Sequence, residues 1–303
     1  ASEIYLNGKR IQTIGNIATD QIKAQDPLEY PFYIPIDSAG KYQLSVRYAL
    51  QPNIHYTRVY GWTQNSLFRA KVVYLVPTQN IQREFRVYYT GLEIFKIGVL
   101  FMLFVLHLAF YFYQKNNKTH LFISLYFLGA LLQYVFKIIG QNHLSVEARY
   151  YFINASFWAS GLGQLFATTA FYQLTKVRID FYYVIMIFTL MIMLLISSLT
   201  YGMLWGTLAL FNAIVTFLIT LRLTIIGLKK EIKGFNILGV AVMLSSLGFL
   251  FIELLNNNVP ISPYVVDLFF NLSALSIPIG LSLFMGLEAS HRNKELRSKL
   301  IEN

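Results

Sequence analysis

The sequence predicts an all-α membrane bundle of seven spans, N-terminus outside and C-terminus inside, preceded by a small extracytoplasmic β-sandwich or jelly-roll-like domain. Three observations carry this. Seven apolar stretches follow one another from about Leu92 to Glu288. The polar breaks between them carry positive charge almost entirely on alternate sides. The first 78 residues instead read as β-structure, with hairpin and alternation signals. A span needs about 20 mostly apolar residues, and its backbone polar groups must be satisfied within the segment, which makes each one a helix.

The breaks fall at Gln114 to Thr119, His143 to Arg149, Thr175 to Asp180, Thr200 to Met203, Lys229 to Lys233 and Asn256 to Pro263. One side receives Lys115, Lys118, Lys176, Arg178, Lys229, Lys230, Lys233, Arg292, Lys294, Arg297 and Lys299; the other receives Arg149 alone. Cytoplasmic loops accumulate Lys and Arg, so the richer side is inside. Most of the net charge of +10 is therefore topological, and no basic stripe interleaved with aromatics points to nucleic acid. Cysteine is absent, which excludes disulfides, thiolate metal sites and a thiol nucleophile. No signal peptide is visible at Ala1. An outer domain normally needs one, so a trimmed form with its first strands missing is expected.

From the N-terminus, Asn7-Gly8 between Ile4-Tyr5-Leu6 and Lys9-Arg10-Ile11 predicts a tight hairpin. Lys41 to Leu50 alternates, with Tyr42, Leu44, Val46, Tyr48 and Leu50 on one face. Asp37-Ser38-Ala39-Gly40 is the turn feeding it, Pro27, Pro31 and Pro35 punctuate the approach, and His55 to Trp62 reads as a further strand. The period then changes. Ile81, Phe85, Tyr88, Leu92, Phe95 and Val99 step by three and four, which predicts one long helix from Gln79 to about Tyr113. Arg69 to Val76 fits either a strand or an interfacial helix. The last span has no stop, and Gly286, Ala289, Asn293, Leu296 and Leu300 fall on core positions of one heptad register. A solvated, frayed tail is the alternative. The expected domains are 1–78, 79–288 and 289–303.

Ionisable residues near the outer mouth of the bundle are Glu93, Lys96, Lys137, Glu147, Arg149, Glu253 and Asp267. Charges within a membrane are costly and mark sites by default, although snorkelling to the interface is the plain alternative. Arg47 and Trp62 of the β domain, with Glu93, Lys96, Lys137, Glu253 and Asp267, are the candidate ligand-binding or coupling residues. His107, some twelve residues into the first span, Pro278, which should kink the seventh, and Asn293, Leu296 and Leu300 are the candidate transmission residues. No histidine spacing suggests a metal, and no catalytic set or cofactor is expected. Gln133, Asn154, Gln164, Asn212, Asn236 and Asn271 read as interhelical glue.

Taken together, the hairpin Ile4 to Lys9, Asp26-Pro27-Leu28, Val46-Arg47-Tyr48, Leu106-His107-Leu108 with Phe110-Tyr111-Phe112-Tyr113, and the charged exit Glu288 to Asn303 make the chain resemble a bacterial family. It is that of the seven-transmembrane receptors with diverse intracellular signalling modules. The resemblance implies a jelly-roll-like outer domain with carbohydrates or related small molecules as ligands. It also implies an inner-membrane sensor bundle and a cytoplasmic output such as a histidine kinase, a cyclase or a phosphatase, and pairing of two exit helices along Ala289, Asn293, Leu296 and Leu300 is expected to make a homodimer. The outer part is short for a complete jelly roll and no output module precedes Asn303, so no enzymatic activity is expected of this stretch itself. The competing classes are an intramembrane hydrolase, built on His107 or His143 with Asp267, and a small-molecule transporter. The first needs converging groups that the expected depths keep apart, and the second usually shows internal repeats. A retinal protein is excluded by the lack of lysine from Tyr264 to Glu288.

Overall fold

A computed structural model describes the chain except residues 19–20, 28–31, 35, 37, 55–74, 116, 200–202, 259–262 and 303. It is mostly helical, with a small antiparallel sheet at the N-terminus. The strands are β1 (Ser2–Leu6), β2 (Lys9–Ile14) and β3 (Leu44–Tyr48), in the order β2-β1-β3. Asn7 and Gly8 both take positive φ, 49° and 80°, which is the paired left-handed geometry of a two-residue hairpin whose twist suits the flanking strands. The Asn7 side chain accepts from the Gln43 amide at 2.8 Å, tying the hairpin tip to the approach of β3.

β1 is central and its Ile4 is buried, opposite Val46 of β3. Of the residues that alternation places on one face of β3, Leu44, Tyr48 and Leu50 are exposed. β3 lies at the sheet edge, so only one neighbouring strand flanks it. The expected strand at His55 to Trp62, Trp62 itself and residues 69–74 lie outside the described residues.

Among the described residues seven helices follow: α1 (Leu75–Tyr113), α2 (Lys118–Asn142), α3 (Val146–Thr175), α4 (Phe181–Leu199), α5 (Met203–Lys229), α6 (Phe235–Asn258) and α7 (Pro263–Glu302). The polar breaks expected at Gln114 to Thr119, His143 to Arg149, Thr175 to Asp180 and Lys229 to Lys233 coincide with helix breaks, and those expected at Thr200 to Met203 and Asn256 to Pro263 lie largely outside the described residues. The boundaries have local causes. Asn117 caps α2 by accepting from Thr119 N at 3.2 Å, and Asp180 caps α4 by accepting from Tyr183 N at 3.4 Å. Gly234, with φ 82°, sets the turn into α6, and Pro263 opens α7, where its missing N–H costs nothing. α1 begins at Leu75 rather than Gln79, because Pro77 sits in its first turn, where proline is tolerated.

Among the described residues three helices are long and apolar enough to cross a membrane: Arg86–Tyr113, Lys118–Asn142 and Leu268–His291. Phe181–Ile196 and Phe235–Leu247 are shorter apolar runs. The 30-residue α3 is not among the three, although the sequence pattern made it one of seven apolar stretches. Its Ala, Ser, Gly, Thr and Gln lower its hydropathy and allow backbones to approach closely. A Cβ on Gly129 of α2 would come within 2.8 Å of Gly163 Cα and 2.9 Å of the Ala159 carbonyl oxygen of α3.

The exposed surface of the helices is apolar at helical spacing. On α4 it comprises Phe181, Val184, Phe188, Met191 and Leu195; on α5, Phe211, Ile214, Leu218, Leu221, Ile225 and Leu228. Soluble proteins rarely expose contiguous apolar stripes of this length.

The chain divides into two compact units. The first joins Ala1–Phe95 with Leu132–Trp158 and Leu195–Thr207; the second joins Lys96–Leu131, Ala159–Leu194 and Leu208–Asn303. The division therefore does not fall at residue 78, because the N-terminal segment packs with helix ends.

Candidate functional site

In the first unit the N-terminal segment attaches to the start of α3. Gln25 and Ser145 form an antiparallel bridge. The Asp26 amide donates to the Leu144 carbonyl at 2.9 Å, and the Val146 amide donates to the Ala24 carbonyl at 3.2 Å. Ala24, Ile54 and Val146 bury one another, with Tyr150 against them. Arg149 pairs with Asp26, both largely buried, and Gln51 bridges the Ala24 amide at 2.8 Å to the Glu147 carboxylate at 3.1 Å. The lone cation of its set of loops is thus the anchor of the N-terminal segment. Backbone pairing, an apolar cluster and an ion pair together make a fixed joint.

Arg47, expected as a ligand or coupling residue, lies in β3. Its guanidinium is 3.5 Å from Glu3, which Arg10 approaches at 3.1 Å from the other side. The Tyr5 hydroxyl, donating at 2.8 Å, is the main reason that the Glu3 carboxyl is held below the usual carboxylate range, with the two arginines adding to it. The cluster ties β2, β1 and β3 across the polar face of the sheet.

Glu93 of α1 accepts from Lys137 of α2 at 3.0 Å, so two of the expected outer charges are brought together. The Glu93 side chain is 13% exposed and that of Lys137 34%. Lys137→Met removes the cation and strands the carboxylate. The expected cost is about 2 kcal/mol, between the values for buried and exposed pairs. The combination with Glu93→Gln should recover most of it, as read by thermal denaturation in detergent.

Lys96, one turn further along α1, is 2% exposed, with its ammonium 5.7 Å from the centre of the Phe270 ring in α7. It is not a snorkelling side chain. Glu253 lies in α6 and Asp267 in the first turns of α7; their side chains, like those of Leu296 and Leu300, lie outside the described ones. Asn293 is exposed, and Pro278 is buried inside a helix that continues to Glu302.

His107 has partners that the sequence did not disclose. In the second unit its Nδ1 lies 3.2 Å from His120 Nδ1 of α2, and its Nε2 lies 3.1 Å from Ser282 Oγ of α7. The two rings are 1% and 4% exposed, packed against Phe110 and Phe127. The nearest sequence signal is that both histidines lie close to the same short connection between α1 and α2. Ser282, His107 and His120 stand in the order of nucleophile, base and orienter. Yet Ser282 sits in mid-helix, where backbone N–H groups are spent on the helical ladder and cannot serve a developing oxyanion. The arrangement therefore holds helices together better than it could cleave a bond.

Two further polar ties lie in the same unit. Asp180 accepts from the Tyr172 hydroxyl at 2.6 Å and pairs with Arg222 at 2.7 Å, joining α3, α4 and α5. Burial pushes the Asp180 carboxyl up, but these bonds outweigh it and its pKa lies below the ordinary value. Thr189, Asn212 and Gln164 form a chain at 3.1 and 3.2 Å across the same three helices, so two of the glue residues do meet. No group of three or more metal-ligating side chains occurs among the described residues.

No family model, curated protein or solved structure matches this chain.

Proposed function

We propose that this chain is the sensing part of a receptor in a bacterial inner membrane. In this reading all seven helices cross the bilayer, and the three-stranded sheet belongs to a jelly-roll-like domain outside it. That domain takes a small carbohydrate-like ligand, and the C-terminal half of α7 enters the cytosol to drive a signalling module in a homodimer. The observation that carries the reading is the attachment of residues 24–26 to the first turn of α3. It gives the N-terminal segment a hold on the start of α3, which a sensor needs and a mere anchor does not. Two features support it. The eleven-to-one asymmetry of basic residues favours N-out and C-in, and the apolar outer stripes of α4 and α5 suit lipid contact. A ligand acts only by binding two states of such an element differently, and α7 is the element that leads out.

Single cysteines placed along α7 from Ala289 to Leu300, in a chain with no native cysteine, test the output arm. Disulfide formation between copies in membranes should peak at Ala289, Asn293, Leu296 and Leu300 and fall between them. Uniform formation at every position would mean an unstructured tail and would end the receptor mechanism.

A further inference from the structure

We propose that the α3–α4 and α5–α6 connections together form a basic site for the headgroup of an anionic phospholipid. The inference rests on the reading above in one respect, that α3 to α6 cross a bilayer, and does not depend on which way round they cross. The α3–α4 connection carries Lys176 and Arg178, Lys229 ends α5, and the α5–α6 connection carries Lys230 and Lys233; all five side chains are exposed. Two ties bring these connections to one place. Lys230 Nζ donates to the Thr175 carbonyl at 2.8 Å, and Asp180 pairs with Arg222 of α5 at 2.7 Å.

Both turns are preformed. Lys176 and Glu231 take positive φ, 50° and 52°, and the two helices close in the same manner. The Val177 amide donates to the Tyr172 carbonyl and the Ile232 amide to that of Gly227, both at 3.3 Å. Cations carried on fixed turns lose less freedom when an anion binds than cations on a loose loop. The carboxylates of the two connections do not neutralise them: Asp180 is engaged by Arg222 and the Tyr172 hydroxyl, and Glu231 alone stands against the five lysines and arginine. The surface beside the cations selects a lipid over a soluble anion. Ile179 and Phe181 are exposed directly after Arg178 and lead to Val184 along α4, while Leu228 is exposed directly before Lys229 and leads to Ile225 along α5. A phosphate held by the cations can therefore lay its acyl chains on apolar side chains. Each Lys or Arg near an anionic lipid surface is worth about fivefold in affinity.

The test uses detergent, which has no sides, so its failure would leave the spans and their orientation untouched. Delipidated protein is titrated with phosphatidylglycerol or with phosphatidylcholine of the same acyl chains, and bound lipid is counted by native mass spectrometry. Phosphatidylglycerol should bind at least about tenfold more tightly. Replacing Lys176, Arg178, Lys229 and Lys233 with Gln, while Lys230 keeps its bond to Thr175, should lower phosphatidylglycerol to the level of phosphatidylcholine and leave phosphatidylcholine unchanged. Lys115→Gln with Lys118→Gln, in the α1–α2 connection, should keep the preference. Equal binding of the two lipids by the native protein would overturn the site, and so would a preference lost as fully in the Lys115 and Lys118 variant. Displacement of phosphatidylglycerol by an equal concentration of glycerol phosphate would show a soluble-anion site and overturn the lipid. Should the fourfold variant fail to fold, Arg178→Gln with Lys233→Gln removes one cation from each connection and should still weaken phosphatidylglycerol at least about fivefold; no weakening would overturn the site.

Discussion

Gly129→Leu should abolish the folded helical protein. The cause is geometric: the new Cβ would sit 2.8 Å from Gly163 Cα, and 2.9 Å from both the Ala159 carbonyl oxygen and the Gly163 amide nitrogen. These are backbone atoms of α3, which no rotamer change can move. Overfilling a packed site costs about 1–3 kcal/mol when side chains can adjust. Here a whole helix must shift, so the loss should reach at least about 3 kcal/mol, even though leucine gains about 1 kcal/mol in helix propensity over glycine. Gly91→Leu is the control, because nothing lies within 4 Å of a Cβ there. Melting in detergent should be unchanged or slightly raised for Gly91→Leu and drastically lowered for Gly129→Leu. Equal melting temperatures would mean that α2 and α3 do not meet at this point.

The second large effect is expected at Arg149. Arg149→Met leaves the Asp26 carboxylate without its cation at a site where both side chains are mostly buried. Removing one member of a buried pair costs about 3–5 kcal/mol, and the residual exposure of the two side chains, 16% and 10%, puts this pair at the lower end, about 3 kcal/mol. The consequence should be local: residues 24–26 lose their hold on α3 and become sensitive to protease, while the helices stay folded. Combining Arg149→Met with Asp26→Asn removes the stranded charge, so the double variant should be more resistant than the single one. A double variant as sensitive as the single would show that the backbone bridge and the Ala24, Ile54 and Val146 cluster carry no share of the attachment.

Local chemistry was readable in the sequence. Asn7-Gly8 demands positive φ at two successive residues, which few pairs tolerate, so the hairpin could be placed to the residue. The polar breaks between apolar stretches were readable too, but the caps at Asn117 and Asp180 and the positive φ of Gly234 emerge only from the structure. The partners of the charged and polar residues were not readable, because they depend on chain separation. Asp26 meets Arg149 across 123 residues, and His107 meets Ser282 across 175. The outer charges had been grouped by expected depth alone. That grouping did not single out the Glu93–Lys137 pair and gave no hint that Lys96 is buried over a phenylalanine ring. Hydropathy counted α3 with the other apolar stretches, whereas its small residues serve close packing. The alternation of β3 grouped its apolar residues on one face but could not tell that Leu44, Tyr48 and Leu50 stay exposed on an edge strand.

The most direct test of the receptor reading is the sidedness of its ends. Single cysteines at Asn117, Lys230 and Asn257, introduced one at a time into the cysteine-free chain, are exposed to a membrane-impermeant thiol reagent in intact cells. The expected result is reaction at Asn257 and protection at Asn117 and Lys230 until the membrane is permeabilised. Reaction at Asn117 or Lys230 with protection at Asn257 would reverse the orientation, put the N-terminal sheet in the cytosol, and contradict a receptor that senses outside and signals within.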